Sequence, residues 1–157
     1  MKLIIGGAAS GKLNYVRSLG YTEDQLANAV LDNRPVIYNL QALVASLFTP
    51  DDNDNPQPSP ADNLPEPLGD PHDKSQPPVA ENVSQQMEDS RERALAFIEP
   101  LLAKEVVVCD EVGAGVIPGN RPEREAREAT GRLCNRLAQQ AQTVIRLVAG
   151  IPVVIKG

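Results

Sequence analysis

KLIIGGAASGKLNY, residues 2–15, runs from a short apolar segment into a glycine-rich turn and then into a stretch compatible with a helix. KLII reads as a buried strand. Gly6, four intervening residues, Gly11 and Lys12 have the spacing of a phosphate-binding loop. Such a loop points successive backbone N–H groups at a phosphate chain, the following helix adds its dipole, and the lysine neutralises the terminal phosphates. The residue after the lysine is ordinarily Ser or Thr, whose hydroxyl ligates Mg²⁺ in enzymes of this kind. Here it is Leu13. On this reading Gly6, Gly7, Ala8, Ala9, Ser10, Gly11, Lys12 and Leu13 form a nucleotide-binding loop. The alternative, a tight turn that only lets strand and helix pack, stays open at this level.

The rest of the 157-residue chain fits a single domain, long enough to bury a substantial core. At 41% hydrophobic and 23% charged, its composition is that of an ordinary globular protein; with 3% aromatic residues and no Trp, the core must come from Ala, Val, Ile and Leu. No stretch approaches the roughly 18 apolar residues of a membrane helix, and the N-terminal LIIGGAA is too short for a signal peptide. Cys109 and Cys134 lie in apparently regular segments, so a reduced, cytoplasmic protein is expected rather than a disulfide pair or a metal site. His72 is the single histidine, which excludes most histidine-based metal sites.

The net charge of −6 is local. Residues 50–78 hold seven acids, one lysine and nine of the fourteen prolines, while the remainder has 14 acids and 14 bases. Nothing in that balance argues for a nucleic-acid surface or a basic membrane patch. A segment so poor in large apolar side chains cannot offset its ordering entropy, which predicts a mobile acidic, proline-rich loop inserted within one domain over residues 1–157.

Around that loop, strand and helix patterns alternate. TEDQLANAVL, with Thr22 as an N-cap and acids in its first turn, predicts a short helix. RPVIYNL (34–40) is a strand candidate and QALVASLF continues as a helix or a buried turn. Val83, Met87, Ala94, Leu95, Ile98 and Leu102 give residues 80–103 an amphipathic helical pattern. EVVVCDEVG (105–113) is a continuously apolar strand of the kind buried in parallel sheets. Residues 122–141 make a long helix with Leu133, Cys134, Leu137 and Ala141 inward. TVIRLVAGIPVVIKG closes as two strands with a turn at 149–152. The alternation implies a three-layer α/β domain with a mostly parallel sheet.

Two further groups carry chemistry. Asp110 and Glu111 follow the VVV strand, where ligands collect in open α/β sheets, and acids there can hold a metal or orient water; a solvated strand end is the alternative. Arg121, Arg124, Arg127, Arg132 and Arg136 are interleaved with Glu123, Glu125 and Glu128, a pattern of exposed ion pairs along a helix or of phosphate and subunit contacts.

Residues 110–157 resemble the C-terminal third of the CobU family, the bifunctional adenosylcobinamide kinases and adenosylcobinamide-phosphate guanylyltransferases of cobalamin assembly. The resemblance rests on Glu111, Val112, Gly113, Gly115 and Pro118, then Asn120 and Arg121, Arg124 and Arg127, Gly131, and the terminal Gly150-Ile151. GGAASGK is similar to the family's GGARSGKS. The resemblance implies a RecA-like P-loop NTPase fold, GTP or ATP with Mg²⁺, a corrinoid substrate and a homo-oligomer. Lys12, Asp110 and Glu111 would be the catalytic groups, with Asp110 serving the metal through water and Arg121, Arg124 and Arg127 meeting phosphate or another subunit. The chain departs from the family at Leu13, at Tyr38 and Asn39 where an acid ends a central strand, and in lacking the early strand with the histidine that takes the guanylyl group. Adenosylcobinamide phosphorylation is therefore the implied activity, without guanylyl transfer. A non-catalytic nucleotide- or corrinoid-binding module, acting as regulator or scaffold, is the alternative.

Overall fold

The computed structural model describes residues 1–48, 79–113 and 118–157. The proline-rich segment over 50–78, with His72, lies outside the described residues, as does Gly115. Among these residues six strands form one sheet: β1 (Lys2–Gly6), β2 (Leu26–Asn28), β3 (Val36–Tyr38), β4 (Val106–Asp110), β5 (Thr143–Val148) and β6 (Ile151–Lys156). Their spatial order is β2-β3-β4-β1-β5-β6, parallel throughout except that β6 runs antiparallel to β5. Among the described residues, five helices accompany them: α1 (Lys12–Ser18), α2 (Leu40–Ala45), α3 (Val79–Ala96), α4 (Ile98–Leu102) and α5 (Arg121–Gln140). This is the three-layer α/β architecture of P-loop NTPases.

The strand pleat sends neighbouring side chains to opposite faces. Leu3, Val107, Cys109 and Val144 meet Leu40 and Val44 of α2, Leu101 of α4, and Leu133 and Leu137 of α5. Their neighbours Ile4, Val106, Val108, Ile145 and Leu147 meet Val16 of α1 on the other face. Burial on both faces explains why β1 and β4 read as continuous apolar runs rather than alternating ones.

Four segments differ from the sequence-based expectation. TEDQLANAVL is not a helix. Thr22 does cap a turn, its N–H donating to Gln25 Oε1 at 3.0 Å, but only Glu23–Gln25 is helical, as a 3-10 turn. Leu26 and Ala27 then pair with Val36 and Ile37 as β2. A helix would put Leu26 and Val30 on one buried face, whereas Val30 is half exposed and the adjacent pair Leu26-Ala27 is buried. The early strand that the sequence had not revealed is therefore present, though without a histidine. Residues 80–103 form two helices rather than one. Pro100 would clash with the carbonyl of Ala96 four residues earlier, so α3 stops there and α4 starts after Phe97. The strand expected over 105–113 is confined to Val106–Asp110.

At the C-terminal end, Ala149 and Gly150 have φ of +50° and +82°, the left-handed conformation that a two-residue hairpin turn uses to match the strands' twist. This makes the turn tighter than the four residues expected. β6 is the edge strand, and its Ile151, Val153, Val154 and Ile155 are exposed.

Candidate functional site

Parallel β1 and β4 lie side by side, with Gly6 aligned to Asp110. The chain leaves β1 through α1 toward β2 on one side of the sheet, and leaves β4 through α5 toward β5 on the other. The crevice at such a reversal is where open α/β sheets bind ligands. The loop over residues 7–11 occupies it. Ser10 N–H donates to Gly7 O at 3.2 Å, and Ala9 and Gly11 adopt φ of +56° and +89°. A Cβ on Gly6 would lie 2.6 Å from Ser10 Oγ and 2.7 Å from Leu147 O, so only glycine fits there. The β5–β6 turn supports the loop from behind: Gly150 N–H donates to Ser10 O at 3.0 Å, and a Cβ on Gly11 would sit 3.3 Å from Gly150 Cα.

Lys12 opens α1 and folds back beneath this loop. Its ammonium is buried and donates to Gly7 O at 2.6 Å, Gly6 O at 3.2 Å and Ser10 Oγ at 3.3 Å, and it stands 2.6 Å from Asp110 Oδ1. Gln41 of α2 fixes Asp110 in turn, accepting its backbone N–H at 3.1 Å. Two residues that sequence reasoning singled out, far apart in the chain, thus form one ion pair. Above them opens a cavity of about 340 Å³ whose walls include Ser10, Gly11, Arg17, Tyr38 and Asn39.

The other expected site residues lie elsewhere. Glu111 turns toward β5, where Arg146 grips it with Nε–Oε1 at 2.8 Å and Nη2–Oε2 at 2.9 Å. Arg121 stands 3.9 Å from Glu125, and Arg124 donates to the carbonyls of Pro118 and Gly119 at 3.0 and 2.9 Å. Arg127 lines a separate recess between α2 and α5 with Gln41, Val112 and Thr130. None of the three reaches the first cavity's wall. Cys109 and Cys134 are free thiols, as expected. The hydrogen bond to Cys134, reinforced by burial, pushes the Cys109 thiol upward.

Sequence reasoning missed three contributors. Arg17 and Asn14 share one side of α1 by their three-residue spacing, a signal that was available in the sequence. Arg146 gave no local sign, because its partner comes from a strand two places away in the sheet.

The donor set does not fit the Mg²⁺ that a P-loop implies. Leu13 offers no oxygen and packs partly buried against the Ile4 and Val16 cluster. Asp110 is paired with Lys12, Glu111 with Arg146, and Asn39 donates its amide to Asn28 Oδ1 at 2.7 Å. Among the described residues no three His, Cys, Asp or Glu side chains converge on one point. No helix among them is long and apolar enough to cross a membrane.

The chain belongs to the cobinamide kinase / cobinamide phosphate guanyltransferase family, whose family model matches residues 22–155. The bifunctional adenosylcobalamin biosynthesis protein CobU of Salmonella typhimurium is 40% identical over 70 residues, covering 45% of this chain and 39% of the relative. Its namesake in Escherichia coli is 44% identical over 54 residues, covering 34% and 30% respectively. The chain thus matches well under half the length of these curated relatives. The phosphate-loop residues 6–13 precede the segment that the family model matches.

Proposed function

As a member of this family, we propose, the chain binds the phosphates of GTP or ATP over residues 6–13 and serves adenosylcobalamin assembly by phosphorylating a corrinoid of the adenosylcobinamide type. One observation carries this reading. The buried Lys12 ammonium lies under a glycine-rich loop, beside Asp110, at the floor of a cavity at the sheet's reversal point. Phosphoryl transfer depends mainly on positioning and on neutralising charge at the phosphates. Lys12 supplies that charge once an entering phosphate competes with Asp110 for it. Asp110 is the carboxylate in the cavity wall among the described residues, and in this reading it receives the acceptor hydroxyl's proton. Glu111 stays engaged with Arg146 and orients the strand end. Self-association belongs to the same reading, supported by the bare apolar edge of β6.

A non-catalytic nucleotide- or corrinoid-binding role is the second reading, favoured by Leu13 in place of a hydroxyl. Incubating the protein with adenosylcobinamide and either GTP or ATP, then weighing the corrinoid by mass spectrometry, separates the two. A gain of one phosphoryl group supports the kinase. Nucleotide binding without that gain supports the second reading, and absence of nucleotide binding sinks both.

A further inference from the structure

We infer that this cavity takes its polyphosphate ligand without a divalent metal, with Arg17 supplying the second positive charge that a metal would otherwise bring. The inference rests on the phosphate-binding reading above. Mg²⁺ requires near-octahedral oxygen ligands and, beside substrate phosphates, usually one or two protein carboxylates. The positions that could provide them are apolar (Leu13), amide (Asn39) or ion-paired away from the cavity (Glu111), and Asp110, once phosphate draws Lys12 from it, is the group that takes the acceptor's proton in the reading above. Ser10 Oγ, the hydroxyl nearest the loop's floor, already accepts from Lys12 Nζ at 3.3 Å.

The cations are placed differently. Arg17 is exposed and lines the same cavity as Lys12. It is held by an exposed, solvent-screened ion pair with Glu23 of the following 3-10 turn, Nε–Oε1 at 2.6 Å, and by Asn14 of its own helix, whose Oδ1 accepts from Nη1 at 3.1 Å. Neither bond uses Nη2. A guanidinium carries five N–H donors in a planar fork suited to phosphate oxygens, so two anchoring bonds leave it able to grip a ligand. Arg17 stands five positions after Lys12, about 7.5 Å along α1 and well round its axis, so Lys12 charges the cavity floor and Arg17 its side. Two cations at separate points of one cavity suit a di- or triphosphate better than a single phosphate. The ligand class is therefore a metal-free polyphosphate, as a nucleotide or as pyrophosphate.

Calorimetry with GTP and with inorganic pyrophosphate, each in excess Mg²⁺ or in EDTA, tests this. Affinity should agree between the two buffers within about threefold. Arg17→Ala should weaken binding in EDTA by about fivefold or more, and Arg17→Lys should recover part of the loss because the charge is kept. Binding that strengthens about tenfold with Mg²⁺ would overturn the inference while leaving the phosphate-binding reading intact. An Arg17→Ala protein that melts like wild type and binds equally well would overturn it too. Absence of binding to either probe in both buffers would overturn the reading beneath it as well.

Discussion

At the level of single residues, the loop is set by backbone rather than by side chains. Gly11 holds φ at +89°, a conformation L residues adopt at a cost, and its neighbour Gly150 leaves little room for a methyl. Gly11→Ala should lower the melting temperature and weaken nucleotide binding together. Loss of binding at unchanged stability would mean the strain argument is incomplete. Asp32 gives a separate, pH-readable test. The hydrogen bond from the Arg34 side chain, helped by its backbone N–H at 2.9 Å, holds the Asp32 carboxyl below its ordinary value of 3.8. A depressed carboxyl contributes stability that is present above the unfolded value and is lost as the pH falls through the folded one. Asp32→Asn should therefore melt below wild type at pH 7, and the gap should close as the pH is taken under 3.8. A gap unchanged by acid would show that the ionised carboxyl is not what stabilises the turn. These residue-level features were only partly legible. The spacing of Gly6, Gly11 and Lys12 declared the loop, whereas the contact between Gly11 and Gly150 joins positions far apart in sequence.

Among the elements, α5 was the most readable. Its apolar stripe, its Asn120 cap accepting from Glu123 N–H at 2.8 Å and its early Pro122 all agree with one another. Leu133 and Leu137 are fully buried against the sheet. Leu133→Ala should cost about 2–5 kcal/mol in a urea titration, through lost burial and the cavity left behind. A loss below about 1 kcal/mol would mean the helix repacks over the gap. β2 was the least readable. Its three residues carry too short a pattern to outweigh the cap and acids that precede them, and only pairing with β3 decides their conformation. The break between α3 and α4 could have been read from Pro100, since a proline inside a helical pattern ends or kinks it. Glu111 illustrates the limit for site residues. Its place in the sequence beside Asp110 suggested a shared role, but the strand pleat turns adjacent side chains apart and delivers it to Arg146.

For the molecule as a whole, family membership and the site's own residues point to different parts of the chemistry. The family name includes guanylyl transfer, and the resemblance implies a histidine as its covalent carrier. The sequence has one, His72, between Pro71 and Asp73 among acids that repel a triphosphate. Incubation with GTP should leave the intact mass unchanged. A gain of one guanylyl group, abolished by His72→Ala, would restore the full bifunctional activity. Phosphate binding turns on Lys12, the charge that β1, the loop and β4 combine to place under the cavity. The decisive measurement is calorimetric titration of GTP into wild type and Lys12→Ala. The variant should bind at least tenfold more weakly, about 1.4 kcal/mol, with its fold intact by circular dichroism. Equal affinity in the two proteins would contradict the account, leaving the glycine-rich turn as a packing device between strand and helix.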